Sequence, residues 1–330
     1  MTFNLGFLTH LHGEQPAREL YPAVIDLFVA AEELGFDTGW VAQHHLSTDE
    51  GRLPSPLVFL SAVAARTTRI ELGTAIVTLS LEDPLRAAED ASVLDAISGG
   101  RLQLGLGSGN PHREQFAAFG KNSDDRRNLY SANLDTLRTA LRGEALPGGL
   151  VLEPASSTLA DRLWESPLSV ERARAVAAAG SGILLGIGPA GTVQLELADA
   201  YLDSVGDHEP RVAVVHAAFA GASKAQVADA LWPDVQGSLG YYAAAGWVSA
   251  APTPAELLGA MNVHHGTTAD ILDSLAAEPV LERATDLVLA VQAKGTSVTT
   301  AIRTLETIAR DIAPALGWSP ATSNERKLYA

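Results

Sequence analysis

The feature that most constrains the fold is a strand-to-helix unit that occurs three times in a row between residues 34 and 109. Short apolar runs at residues 39–42, 69–77 and 102–106 each precede a segment whose apolar side chains recur at helical spacing. Such alternation is typical of parallel strands joined by helical crossovers. It predicts a (β/α)8 TIM barrel, in which functional side chains gather at the carboxyl ends of the strands.

The rest of the chain continues this alternation. Further strands are predicted at residues 3–9, 162–164, 182–185, 211–219 and 286–291. The stretch 232–279 is too long for one connection, so it is interpreted as an insertion between strands seven and eight. Because one eight-fold barrel with insertions commonly needs a chain of this length, a single domain spanning residues 1–330 is expected.

Composition and charge favour a small-molecule partner. The chain carries 23 Lys and Arg against 39 Asp and Glu, and its formal net charge of -16 disfavours nucleic acid and anionic membrane surfaces. It has no cysteine, which excludes disulfides, thiolate metal sites and a cysteine nucleophile. The sequence opens without a basic segment and a long apolar run, and no apolar stretch approaches transmembrane length, so a cytoplasmic location is expected.

Paired histidines, His44 and His45, follow the second predicted strand. Because side chains alternate between the two faces of a strand, at most one of them is expected to enter a pocket from regular strand geometry. A histidine near its usual pKa can act as a base or hold an anion. The alternative is a pair of loop histidines bonded to the neighbouring backbone.

Two glycine-rich segments follow the fourth and sixth strands. Residues 105–109 (GLGSG) resemble a phosphate loop, but Asn110 stands where the sixth position needs glycine. Residues 186–191 (GIGPAG) do fit G-x-G-x-x-G after an apolar strand. This second motif comes late in the chain and uses the sixth barrel strand, so its glycines are interpreted as a turn at the barrel rim.

Two serines lie where the fifth strand passes into a helix. Ser169 has the residue type of an N-cap, and Ser166 precedes it by three residues. A helix N-terminus with nearby hydroxyls can hold an anion because its free N–H groups point outward with a partial positive charge. Simple capping would require only one of the two serines.

Four ordered pieces of the sequence resemble the luciferase-like flavin monooxygenases, and most of all the bacterial luciferases. They are GFDTGW before the paired histidines, GTA before apolar residues, DPLRAAEDASVLDAISGGR, and the glycine-bounded fourth strand. The resemblance is dense over the first third of the chain and thin beyond it. It implies a barrel that binds reduced FMN and uses O2 to oxygenate a small organic substrate.

The same resemblance implies partners. Reduced FMN would come from a separate flavin reductase, because no NAD(P)H-binding domain is evident in the sequence. Two copies of the chain would pair as a homodimer through the helices predicted at residues 56–66 and 84–97.

The resemblance also assigns residues near the flavin ring. His44 matches the family's catalytic histidine, and Gln43 stands where the family usually has a glutamate that could tune the basicity of the histidine. Thr74, Ala75 and Ile76 match a segment beneath the flavin. The family has a non-proline cis peptide there, which places it here at Ala75–Ile76.

A second group of residues is assigned to the flavin phosphate. Glu165, Ser166 and Ser169 match the family's phosphate-binding segment. Gly107 and Ser108 stand where bacterial luciferases carry a Cys-Arg pair, so the arginine that clamps the phosphate is missing at that spot. Arg113 or Arg127 could replace it.

Three alternatives remain open at the level of sequence. The first is a hydride-transfer enzyme that uses the deazaflavin F420, and the second is a flavin-binding barrel without catalysis. The third is a metal-dependent hydrolase, because His10 and His12 form an HxH pair after strand one. Its further ligands could be Glu165 and His216, although no spacing enforces this.

Overall fold

Eight parallel strands close into a barrel in the computed structural model, which describes residues 3–47, 49–156, 158–186, 193–244 and 246–320. The strands and helices in chain order are β1 (Asn4–Thr9), α1 (Ala17–Glu33), β2 (Thr38–Val41), α2 (Pro56–Ala64), β3 (Glu71–Thr74), β4 (Val77–Thr78), α3 (Pro84–Ser98), β5 (Leu102–Gly107), α4 (Arg113–Ala118), α5 (Arg126–Leu141), β6 (Leu163–Glu165), α6 (Val170–Ala178), β7 (Gly182–Leu185), α7 (Val193–Leu202), β8 (Val212–Ala220), α8 (Lys224–Val235), α9 (Leu239–Ala244), α10 (Pro254–Ala260), β9 (Val263–Gly266), α11 (Thr268–Ala276), β10 (Asp286–Ala290) and α12 (Val298–Thr307).

The barrel closes through β10, which pairs in parallel with β1 on one side and with β8 on the other. Around the barrel the strands run β1, β2, β3, β5, β6, β7, β8 and β10, with helices between consecutive strands. The predicted (β/α)8 TIM barrel is therefore confirmed. Each predicted strand lies within two residues of an observed one, except that the third is divided into β3 and β4.

Two tryptophans fill the barrel interior. The indole rings of Trp40 and Trp164 meet edge to face with their centroids 5.6 Å apart. A Cβ atom at Gly73 would lie 2.2 Å from the Trp40 ring, and one at Gly182 would lie 2.5 Å from the Trp164 ring. Glycine at these two strand positions therefore gives the large rings the room that close packing of the interior requires.

Helix α3 illustrates how local sequence determines the ends of the outer helices. The Asp83 carboxylate accepts hydrogen bonds from the backbone N–H groups of Leu85 and Arg86, and Pro84 occupies the first helical turn. Both are favourable there because the first N–H groups of a helix have no partner within it. Gly99 adopts a left-handed φ of 70° and ends the helix.

The third predicted strand is interrupted at a cis peptide bond between Ala75 and Ile76. At the interruption the Thr74 hydroxyl donates to the carbonyl of Gly105 and accepts from its N–H, both at 2.8 Å. A Cβ atom at Gly105 would lie 1.9 Å from the Thr74 carbonyl oxygen, so this contact needs glycine. The predicted cis peptide at Ala75–Ile76 is confirmed, and the continuous strand predicted over residues 69–77 is wrong because side-chain bonding replaces the ladder there.

The described residues between β8 and β10 form four α-helices and one strand. Strand β9 was not predicted, and it pairs with the carboxyl-terminal half of β8 from Ala217 to Ala220, beyond most of the pairing between β8 and β10. Helix α11 follows it with a reciprocal capping box between Thr267 and Asp270. Within the described residues, none of the helices combines the length and the apolar character needed to cross a membrane.

Candidate active site

Two adjoining cavities open at the carboxyl ends of the strands. One, here called the histidine cavity, has a volume of about 260 Å³ and is lined by His10, His44 and His45 among others. The second, the arginine cavity, has a volume of about 320 Å³ and is lined by Arg127 and Arg172. Both are lined by Ser108, Ser166 and Leu168. The two cavities therefore form one cleft of the size typical of small-molecule sites, roughly 300–1,000 Å³.

Eight of the nine predicted site residues line this cleft. They are His44, Ala75, Ile76, Gly107, Ser108, Glu165, Ser166 and Ser169. Thr74 is fully buried below the cleft, where its hydroxyl bridges β3 and β5. Its contribution is to hold the neighbouring residues in place.

Small or apolar residues line the histidine cavity next to the cis peptide. Ala42, Ala75, Ile76 and Gly107 contribute to it. A Cβ atom at Gly107 would approach the Ile76 side chain to 2.8 Å, so the isoleucine lies directly against the glycine backbone. This part of the cavity wall is therefore apolar.

Both His44 and His45 line the histidine cavity. The expectation that at most one would enter the pocket is wrong, because β2 ends at Val41 and strand alternation does not extend to residues 44 and 45. The His45 ring packs edge to face on Phe119, with centroids 4.9 Å apart. The two histidines differ in their polar contacts: His44 lies beside His10 and Glu50, whereas Nε2 of His45 is buried and has no hydrogen-bond partner among the described residues.

His44 has a partner at each ring nitrogen. Its Nε2 lies 2.9 Å from Nδ1 of His10, and its Nδ1 lies 3.5 Å from a carboxylate oxygen of Glu50. The other oxygen of Glu50 lies 3.0 Å from Nε2 of His112. The loops that follow β2 and β5 thus meet at one carboxylate, and the loop that follows β1 joins them through the contact between His10 and His44.

Burial lowers the pKa of the histidines in this group. The pKa of His10 falls to about 3, because burial and the neighbouring rings of His44 and His12 oppose its charge. Burial likewise lowers the pKa of His44, although the Glu50 carboxylate raises it. Burial also lowers the pKa of His45, against an opposing effect of Glu82. The rings of His10, His44 and His45 are therefore neutral at pH 7, and each neutral ring has one nitrogen lone pair.

Gln43, the residue that replaces the family's usual glutamate, does not contact the histidines through its amide. Its Nε2 donates to Glu82 and to the Pro54 carbonyl, and its Oε1 accepts from the Thr78 N–H at 2.6 Å. The carboxylate beside His44 is supplied by Glu50 instead. Glu50 was missed in the sequence because its contact with His44 depends on how an irregular loop folds back.

The arginine cavity surrounds the start of α6. Ser169 caps this helix by accepting from the Arg172 N–H at 3.3 Å, and Ser166 lines both cavities. Arg127, one of the two candidates for the missing phosphate arginine, lines the arginine cavity together with Arg172. The other candidate, Arg113, has a side chain that is 82% exposed and lies near Asp124, and it lines neither cavity.

Glu165 lies at the base of the arginine cavity with its carboxylate already occupied. It accepts from the Tyr130 hydroxyl at 2.7 Å and from Arg138 at 2.6 Å, and Arg172 lies 3.5 Å away. Burial and the Glu165 charge raise the pKa of Tyr130 well above its ordinary value, so the phenol remains a donor. Glu165 therefore holds Arg172 and Tyr130 in position and leaves binding to the arginines and serines.

Arg172 was also missed, although the sequence carries a signal for it. It lies in the first turn of α6, where a cation is unfavourable because the helix N-terminus has a partial positive charge. The Glu165 carboxylate, 3.5 Å away, supplies an opposite charge that offsets this cost.

Two alternatives can be placed in the structure. Among the described residues, no group of three or more His, Asp or Glu side chains has the arrangement of a metal site. His216 is fully buried and contacts Asn262 and His264, each at 3.2 Å, whereas the partners of Glu165 are Tyr130, Arg138 and Arg172. Of the G-x-G-x-x-G motif, Gly186 follows β7, and residues 187–192 lie outside the described residues.

Comparison with known proteins gives a family. The family model described as "Luciferase-like monooxygenase" matches residues 1–310. The chain is 31% identical over 137 residues to the alkanal monooxygenase alpha chain of the Kryptophanaron alfredi symbiont. This alignment covers 42% of this chain and 38% of that one. It is 36% identical over 141 residues to 4-hydroxyprotoasukamycin monooxygenase of Streptomyces nodosus subsp. asukaensis. That alignment covers 42% of this chain and 37% of the relative. These alignments span about two fifths of each curated relative.

Solved structures extend the likeness of the fold to nearly the whole chain. Monooxygenase RslO1 of Streptomyces bottropensis has a TM-score of 0.81 at 22% identity, covering 96% of this chain and 100% of that one. The oxygenating constituent of 3,6-diketocamphane monooxygenase of Pseudomonas putida, solved with FMN, has a TM-score of 0.76 at 16% identity, covering 95% and 99%. An F420-dependent secondary alcohol dehydrogenase has a TM-score of 0.67 at 14% identity, covering 95% and 99%.

Proposed function

The chain belongs to the luciferase-like monooxygenase family, and from this premise we propose that it is a flavin-dependent enzyme that uses reduced FMN and O2 to oxygenate a small organic substrate. The observation that carries the proposal is the pairing, in one cleft, of an apolar wall with a cavity lined by two arginines and four serines, of which Ser166 and Ser169 flank the start of α6. This pairing matches the two ends of FMN, which are an aromatic ring system and a phosphate.

The apolar wall fits the ring end. Ala75, Ile76 and Gly107 line the cavity side by side and would form the surface that the planar tricyclic ring covers. The polar groups of Gln43 are turned to other partners and leave this wall apolar.

The arginine cavity fits the phosphate end. Arg127 and Arg172 supply positive charge, and Ser166 and Ser169 supply hydroxyl donors beside the N-terminus of α6. Hydrogen bonds between charged partners are roughly twice as strong as neutral ones. Arg172 thereby takes the place of the arginine that is missing at Ser108, and Arg127 supports it.

Bound reduced flavin would supply the electrons that allow O2 to deliver one oxygen atom to an organic substrate. The role proposed for the protein is to exclude water, orient the substrate in the histidine cavity and move protons. His44 is the proposed acid–base residue because it lines this cavity as a neutral imidazole.

Two partners belong to the proposal. A separate flavin reductase would supply reduced FMN. A homodimer would form through α2 and α3, which carry exposed apolar side chains at Val58, Val93 and Ile97. These side chains are 70%, 45% and 55% exposed, and a symmetric partner would cover them.

Titration of the purified protein with FMN, FAD, riboflavin and F420 tests the cofactor, followed by turnover under ¹⁸O₂ with reduced FMN and a panel of substrates. FMN is expected to bind most tightly, and product is expected to contain one ¹⁸O atom. Tight binding of F420 without FMN would move the function to hydride transfer. Binding of FMN with no labelled product from any substrate would favour a flavin-binding barrel without catalysis.

A further inference from the structure

The hydrogen bond between His10 and His44, together with the Glu50 carboxylate 3.5 Å from His44, has a consequence for how protons move in the histidine cavity. We propose that these residues form a proton relay in which His10 is a second catalytic residue and Glu50 a positioning residue for His44. The role of this relay in oxygenation rests on the proposed function. The relay itself is inferred from contacts within the protein and does not depend on that function.

The geometry leaves His44 without a free ring nitrogen. Glu50 lies at Nδ1 and His10 at Nε2, at 3.5 and 2.9 Å. A proton that reaches or leaves His44 must therefore pass through one of these two neighbours. Only His10 among them is an imidazole that lines the same cavity and can both accept and donate a proton.

The carboxylate sets the tautomers of both rings. Ionised Glu50 only accepts hydrogen bonds, so Nδ1 of His44 carries its proton and Nε2 has the lone pair. Nδ1 of His10 must then be the donor to Nε2 of His44. Neutral His10 is left with its lone pair on Nε2.

Uptake of a proton follows from this arrangement with all atoms conserved. An O–H or N–H bond of the donor in the cavity breaks and its proton forms a new N–H bond at Nε2 of His10, which leaves the donor as its conjugate base. The N–H bond at Nδ1 of His10 then breaks, and that proton forms an N–H bond at Nε2 of His44. The charge then lies on His44 beside the Glu50 carboxylate, while His10 is neutral again. A hydrogen bond with the Glu50 backbone raises the pKa of His10 and so stabilises the protonated His10 ring that forms between the two transfers. Donation of a proton runs in reverse.

Other ionisable groups face the relay from every side. They are His12 after β1, His45 after β2, Glu82 before α3, His112 before α4, Asp234 in α8 and Lys294 after β10. His12 stacks on His10 with ring centroids 5.6 Å apart and has no described hydrogen bond to His44 or Glu50. His12→Asn is therefore the matched control for His10→Asn.

The test is ¹⁵N NMR of the imidazoles in the flavin-free protein at neutral pH, for the wild type, Glu50→Gln, His10→Asn and His12→Asn. Wild-type His44 and His10 are both expected as the Nδ1–H tautomer. Glu50→Gln should shift His44 toward Nε2–H and lower its pKa, because the carboxylate favours the charged ring. His10→Asn should change the His44 signals, and His12→Asn should leave the His44 tautomer unchanged.

An Nε2–H tautomer of His44 in the wild type, or no response to Glu50→Gln, would refute the relay whatever the flavin titration shows. Glu50 is 35% exposed, so this variant remains informative if His10→Asn does not fold. In the loaded enzyme, His10→Asn should lower coupled oxygenation by about 10- to 100-fold, a part of the 10²–10⁴-fold that acid–base catalysis typically contributes. Glu50→Gln should move the acidic limb of the pH profile to lower pH, and unchanged profiles in both variants would count against the relay.

Discussion

Replacement of Arg172 by Met should weaken binding of FMN and leave riboflavin nearly unaffected. Methionine keeps an unbranched apolar side chain but removes the charge. The Arg172 side chain is 44% exposed and already lies 3.5 Å from Glu165, so solvent and this carboxylate both reduce its attraction for a phosphate. Two unit charges 4 Å apart attract by about 1 kcal/mol in water and about 4 kcal/mol near a protein surface.

A hydrogen bond to a charged group contributes about 1.5–3 kcal/mol, which lies within these limits. At about 1.4 kcal/mol for each factor of ten, the dissociation constant of FMN should rise by roughly 10- to 150-fold. Fluorescence titration at low and high salt gives this constant for FMN and for riboflavin, and the difference should shrink as salt screens the charge.

The matched control is Arg113→Met. Arg113 is an 82% exposed arginine that lines neither cavity, and its removal should leave both affinities unchanged. Equal weakening of FMN and riboflavin by Arg172→Met would mean that the variant disturbs the cleft as a whole. If Arg113→Met lowered the affinity for FMN by the same amount, the effect of Arg172→Met would come from the change in net charge and not from a contact with the phosphate.

The other predictions concern the remaining parts of the site and fold. Replacing both Ser166 and Ser169 by Ala should weaken FMN more than riboflavin by titration, and equal weakening would place the phosphate elsewhere. His44→Ala should lower oxygenation by about 10²–10⁴-fold while flavin reoxidation continues and releases peroxide, which a peroxide assay detects; full coupling in this variant would make the histidine structural. Ile97→Glu, on the exposed face of α3, should convert a dimer into monomers by light scattering, and a wild type that is monomeric at micromolar concentration would contradict the dimer. Burial and Asp286 raise the pKa of Glu71 from 4.5 to about 7; its protonated form is favoured in the folded state, so stability should fall as pH rises from about 4.5 to 7. Glu71→Gln should make the free energy of unfolding, measured by denaturant titration, depend less on pH between these values. If the pH dependence of the variant equalled that of the wild type, other groups would be responsible for it.

The alternation of strands and helices could be predicted from the sequence because it depends on local periodicity. Apolar runs, a proline after Asp83 and a glycine at position 99 are sufficient to place strands and helix ends to within about two residues. The resemblance to a family likewise placed the cis peptide at Ala75–Ile76, since matching residues surround it. Such features depend on neighbours along the chain.

The partners of the site residues were decided only by the tertiary structure. His10 and His44 are 34 residues apart and meet because β1 and β2 are adjacent in the barrel. Glu50 reaches His44 through the fold of an irregular loop, and Arg172 reaches the cleft through its pairing with Glu165. Hydrophobic periodicity carries no information on loop conformation or on which side chains meet across strands, because these depend on how the closed barrel brings separate loops together at one end.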